Sequence, residues 1–161
     1  MPTIITCGVY GFTADAFETA VVASKPDVFV DTRRRRGVRG AQYSFANSNR
    51  LQDMLAKNDI TYIHRIDLAP SAALVKREGE RDKTRHIARH DRDQLSDEFI
   101  ASYQQDVLED FDAQAFWESL GKPNRILILC VEETPAACHR GLLAAAIVDQ
   151  LGWDRVDVIP E

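Results

Sequence analysis

Long apolar runs are missing from this chain of 161 residues. None approaches the ~18 residues that a membrane-spanning helix needs, so such a span is excluded. Cysteine is scarce and odd in number, with only Cys7, Cys130 and Cys138 at irregular spacing. That pattern is no disulfide framework, and reduced thiols in a cytoplasmic compartment are expected. The opening Met1-Pro2-Thr3-Ile4-Ile5 lacks a basic region and a cleavage site, so no secretory signal is expected. No Gly-x-Gly-x-x-Gly follows the first apolar run and no Walker loop occurs, so neither a dinucleotide cofactor nor a P-loop is indicated. The cysteine-phosphatase spacing, an arginine six positions after a cysteine, is absent too: Ala136 and Ala144 occupy those places. Lysine is rare, with 5 residues against 15 arginines.

What is present suits one globular domain over 1–161. Hydrophobic residues make up 45% of the chain, enough to bury a core without a metal or disulfide staple. The net charge of −5 argues against a general nucleic-acid coat. Five of the fifteen arginines nevertheless crowd into positions 33–39. Arginine's planar fork suits phosphate and carboxylate, so a local anion site on an acidic protein is expected.

Short β-rich runs alternate with amphipathic stretches. Strands are predicted at Thr3–Cys7, Asp27–Asp31, Ile60–His64, Arg125–Val131 and Arg155–Ile159. Helices are predicted from Thr13 to Ala23, from Asn47 or Ser48 to Lys57, from Ser96 to Leu108, over Ala113–Leu120, and from Pro135 or Cys138 to Leu151. The segment 71–93 is polar and dense in charge, and reads as a helical excursion, a lid or an assembly arm. The alternation predicts a three-layer α/β domain of Rossmann-like type with a mainly parallel sheet of about five strands. Right-handed crossovers give the expected order 3-2-1-4-5. Ligands bind such sheets beyond the carboxyl ends of the strands. The residues at those ends are Gly8 and Tyr10, Asp31 and Arg33, His64, Cys130 and Glu132, then Cys138, His139 and Arg140.

Each has two readings. Cys138 opens a helix, whose free N–H groups favour a thiolate nucleophile, yet a free cysteine is most often a small buried residue. Asp31 and Glu132 can serve as general acid or base, or can orient Arg33 and Arg140, with the orienting role favoured. Arg140 binds an anion or makes a structural ion pair. Tyr10 stacks on a base or sugar, or caps the core. The spacings by which one backbone segment grips zinc are missing, and adjacent residues such as Cys138 and His139 seldom aim at one ion, so zinc is not expected.

The sequence resembles the domain-of-unknown-function family 488. The carrying residues are Gly8 and Tyr10, Asp31-Thr32-Arg33, Tyr62-Ile63-His64, Cys130-Val131-Glu132 and Cys138-His139-Arg140. The resemblance implies a fold and a site and leaves the reaction open. It departs after Asp31-Thr32-Arg33, where Arg34 to Arg39 replace the family's proline and Ser-Arg, at Ala69 in place of glycine, and in the ending Ile159-Pro160-Glu161. Two main functions follow as expectations, beside a lesser third, a metal- or redox-linked sensor using the cysteines. One is a hydrolase or transferase on a nucleotide-like or other phosphorylated substrate. Its catalytic candidates are Asp31, Glu132 and Cys138, and its binding candidates are Gly8, Tyr10, Arg33, His64, His139 and Arg140. The other is a non-catalytic module that binds a small anionic ligand, or nucleic acid through Arg33–Arg39.

Overall fold

The computed structural model describes residues 1–161. Five strands, β1 (Thr3–Cys7), β2 (Val28–Asp31), β3 (Thr61–His64), β4 (Arg125–Leu129) and β5 (Asp154–Val158), form one parallel sheet. Helices α1 (Ala14–Ser24), α2 (Ser48–Lys57), α3 (Ala72–Thr84), α4 (Asp97–Tyr103), α5 (Ala113–Ser119) and α6 (His139–Leu151) flank it. The architecture is the expected three-layer, Rossmann-like α/β domain.

The strand order is β3-β2-β4-β1-β5, which corrects the order 3-2-1-4-5 expected from the sequence. The crossover from β1 to β2 skips one position, and β4 fills it. Polarity explains the choice. β1 from Ile4 to Cys7 and β4 from Ile126 to Leu129 are both completely buried, but only β4 is aliphatic throughout, as suits the middle of a sheet covered on both faces. β1 carries Thr3 and Thr6 and lies beside the polar edge strand β5, where Thr6 Oγ1 donates to Asp157 Oδ1 at 2.6 Å.

The first two crossovers run one way across the sheet and the last two run back. Right-handedness therefore sends their helices to opposite faces. Phe17, Val21, Leu51 and Leu55 of α1 and α2 pack on Ile5, Phe29 and Leu127. Leu74, Phe99, Tyr103, Phe116, Leu143 and Ile147 of α3 to α6 pack on Ile4, Val30 and Ile128. The chain leaving β4 thus passes to the face opposite the chains leaving both its neighbours. A crevice opens on each side of the carboxyl end of β4.

The charged segment 71–93 runs as α3 and a 3₁₀ turn at Arg89–Asp91. One face of α3 presents Leu74, Glu78 and Asp82 at successive i, i+4 positions, all buried. Glu78 accepts from Ser96 N at 2.8 Å and Ser96 Oγ at 2.7 Å, while Ser96 Oγ caps α4 through Phe99 N. Asp82 pairs with Arg92 at 2.6 Å. Acidic side chains with fixed partners take core-facing places here, which accounts for the low apolar content.

Candidate functional site

β2 delivers Asp31 to the rim, and its carboxylate is fully used by protein groups. Oδ1 accepts from Arg33 N at 3.1 Å and Arg33 Nε at 2.9 Å. Oδ2 accepts from Arg33 Nη2 at 2.8 Å and the Tyr62 hydroxyl at 2.7 Å. Arg33 Nη1 also donates to Ala46 O at 2.9 Å. Asp31 is wholly buried and Arg33 nearly so. The geometry is that of an orienting carboxylate. His64 lies behind the pair, with Nε2 2.8 Å from Arg33 O.

β4 runs out into Cys130, Val131 and Glu132. Glu132 Oε1 accepts from Arg89 Nε at 2.8 Å and lies 3.4 Å from Arg92 Nη1. Its Oε2 is 3.5 Å from Cys130 Sγ. The arginines reach in from the segment after α3, so that segment builds part of the site.

α6 begins at His139 with Cys138 as its N-cap, where Cys138 Sγ accepts from Arg140 N at 3.5 Å. His139 Nδ1 is 3.5 Å from Cys130 Sγ and 3.8 Å from Cys138 Sγ. Its Nε2 lies 2.9 Å from Thr32 Oγ1 and 3.2 Å from Thr32 O. Thr32 Oγ1 spends its own hydrogen on Leu129 O at 2.9 Å, so both Thr32 oxygens accept. Nε2 must therefore carry the hydrogen, and Nδ1 faces the two sulfurs.

The three thiols differ. Burial pushes Cys7 up to about 12, against a smaller downward pull from Arg140. Burial also pushes Cys130 well up, reinforced by Cys138. Burial would raise Cys138 as well, but the hydrogen bond from Cys130, the His139 ring and Arg140 outweigh it, and Cys138 is held well below the usual thiol value.

Arg140 is wholly buried and points away from the cleft. Nη1 donates to Glu132 O at 2.6 Å and Nη2 to Glu133 O at 3.1 Å, and no carboxylate lies within ion-pair distance. It clamps the loop after β4. Gly8 permits this, because a Cβ there would lie 1.9 Å from Glu132 O. Tyr10 stands half-buried in the loop after β1, its ring 5.1 Å from that of Tyr43 and 6.1 Å from that of His90.

A cavity of about 650 Å³ lies over these residues, and Tyr10, Arg33, Cys130, Glu132, Cys138 and His139 are among its lining. Asp31, Gly8, His64 and Arg140 support it from outside the lining. Its walls are cationic: Arg35, Arg39 and Lys76 face it without an ion pair, and Arg34 donates to Pro70 O. Its two carboxylates, Glu78 and Glu132, are already engaged by Ser96 and by arginines.

Sequence reasoning singled out none of Thr32, Tyr62, Arg89 and Arg92 as a functional residue. Tyr62 was visible only within the Tyr-x-His strand. The i, i+3 spacing of Arg89 and Arg92 was a signal, masked by the polarity around it.

Fold and site together define a Rossmann-like α/β protein with a cationic cleft over a buried thiol–imidazole–carboxylate group. The family model described as "Domain of unknown function DUF488" matches residues 13–147, and the chain belongs to that family. No curated protein and no solved structure gives a significant match to it.

Proposed function

We propose that the protein is an enzyme of hydrolase or transferase type acting on a phosphorylated, nucleotide-like substrate. One observation carries this reading: the basic wall of the cavity and the group Cys130, Glu132, Cys138 and His139 line the same space. Arg35, Arg39 and Lys76 have no internal counter-charge and take up the phosphate. Tyr10 offers a ring at the cavity wall for a base or sugar. Glu132 Oε2, free of the arginines, handles the proton, and the arginines on Oε1 keep that carboxylate in place. Asp31 and Arg140 act as supports, holding Arg33 and the loop after β4.

The test is thermal shift with inorganic pyrophosphate, sugar phosphates, nucleotides and oligonucleotides, followed by a turnover assay with whichever stabilises the fold. A ligand at 100 times its Kd adds about 2.7 kcal/mol. For a chain of this size that is a rise of roughly 5–10 °C. Stabilisation by a small phosphate together with its turnover supports the enzyme. Stabilisation by oligonucleotides alone would replace it with nucleic-acid binding through Arg33–Arg39.

A further inference from the structure

We infer that Cys130, Cys138 and His139 form a binding site for one zinc-type divalent ion at the floor of the cavity, with its fourth position open to the substrate. The ligand atoms of these three residues all lie within 4.8 Å of one another, and all three residues are buried. Tetrahedral zinc, with Zn–S of about 2.3 Å and Zn–N of about 2.0–2.1 Å, sets sulfur and nitrogen ligands about 3.5–3.6 Å apart. The two sulfur–nitrogen separations here are 3.5 Å and 3.8 Å. The side chains therefore stand close to the edges of such a tetrahedron before any ion arrives.

The histidine is also prepared. Ligating imidazoles commonly give their other N–H to a neighbouring acceptor, which fixes the tautomer and aims the free lone pair. Thr32 does this through O and Oγ1, leaving Nδ1 directed at both sulfurs. Charge fits as well, since two thiolates neutralise a divalent ion and make its burial tolerable. Two sulfurs and one imidazole select a zinc-like ion over magnesium or calcium, which prefer oxygen.

The spacing argument against zinc fails for a geometric reason. Neighbours in a regular helix or strand point about 100° or 180° apart. Cys138 instead has extended backbone, φ −145° and ψ 148°, while His139 begins α6. The change of conformation between them lets adjacent side chains converge, and β4 supplies Cys130 from the adjoining strand end.

All three ligands and Glu132 line the cavity, so a fourth position there faces the substrate. A three-ligand site with one open position is the pattern of catalytic zinc. The ion would supply a Lewis acid for a phosphoryl oxygen or an activated water, with Glu132 beside it. Cys138 is then a ligand and not the nucleophile. This role for the ion rests on the proposed function; the existence of the site does not.

Cobalt titration of the chelator-stripped full chain tests the site directly. One cobalt per chain is expected, with the intense visible bands of a tetrahedral ion and a thiolate-to-cobalt charge-transfer band, all erased by one equivalent of zinc. Cys130→Ser and Cys138→Ser should each remove about half of the charge-transfer intensity and weaken binding at least tenfold. Serine keeps an N-cap acceptor at 138, and the wild-type titration stands even if a variant misfolds. Absence of stoichiometric binding, or weak octahedral bands without charge transfer, would overturn the inference. So would an unchanged spectrum in the double variant, since the ion would then sit elsewhere. Thermal shift of the metal-free chain with pyrophosphate separates the two proposals. If pyrophosphate stabilises a chain that binds no cobalt, only the metal site falls.

Discussion

Replacing Asp31 by asparagine separates a structural carboxylate from a catalytic one. The carboxylate accepts four hydrogen bonds, three from Arg33 and one from Tyr62, with no exposure to water. Asparagine keeps the volume but turns one acceptor into a donor. Its amide nitrogen must face either Arg33 N and Nε, both donors, or Arg33 Nη2, a donor, and the Tyr62 hydroxyl, which can turn to accept, so it opposes at least one donor either way. The guanidinium also loses its only counter-charge while remaining buried. Breaking a buried ion pair from one side costs about 3–5 kcal/mol. With a urea m-value of about 2 kcal/mol/M, the unfolding midpoint should fall by on the order of 2 M. Tyr62→Phe removes one of the four bonds at a half-buried position and should cost only about 1–2 kcal/mol. An Asp31→Asn midpoint within about 0.3 M of the wild type would refute the reasoning, because the ion pair would then contribute nothing to the fold.

Gly8→Ala should be destabilising by at least about 3 kcal/mol in a urea titration, since its Cβ would meet the Glu132 backbone at 1.9 Å and displace the loop that Arg140 clamps. Glu78→Ala leaves Ser96 N and Oγ without their acceptor, and should cost about 2–4 kcal/mol and speed hydrogen exchange across Ala72–Thr84. Burial holds the Tyr103 hydroxyl well above its usual value of 10, with its hydrogen on Leu68 O at 2.7 Å. The unfolded chain releases that proton near pH 10 and the folded chain does not, so the tyrosine's contribution is complete below pH 10 and is lost as pH rises above it. Tyr103→Phe should therefore lose stability less steeply above pH 10 than the wild type, as followed by unfolding at several alkaline pH values; parallel curves would contradict this.

Much of this was legible in the chain. The β-rich runs at Thr3–Cys7 and Arg125–Val131, the second of which forms strand only as far as Leu129, marked strands because buried parallel strands are apolar on both faces. The rim residues followed once those strands were parallel. The strand order was not legible from handedness alone, since a right-handed crossover can skip a position, and the relative polarity of β1 and β4 decides which takes the centre. Arg140 read as an anion ligand or an ion-pair partner because it opens a helix, but Gly8 leaves room for it to turn inward onto the Glu132 and Glu133 carbonyls. A convergence of Cys138 with His139 was conceivable from the sequence but argued against, because spacing rules assume regular backbone, and the junction at 138–139 is not regular. Arg89 and Arg92 were lost in a segment whose charges look solvated until Asp82 and Glu132 are placed beside them.

The central claim is that the cationic wall over the end of β4 binds a phosphorylated ligand. Calorimetric titration of inorganic pyrophosphate into the wild type and into Arg35→Ala/Arg39→Ala tests it most directly. These arginines are exposed and have no internal ion pair, so the double variant should keep the stability of the wild type. Each charge-assisted contact is worth about 1.5–3 kcal/mol, or roughly ten- to a hundredfold in affinity. One site per chain, weakened at least tenfold in the variant and by added salt, is the predicted result; equal affinity in the two proteins, or no binding to either, would contradict the account.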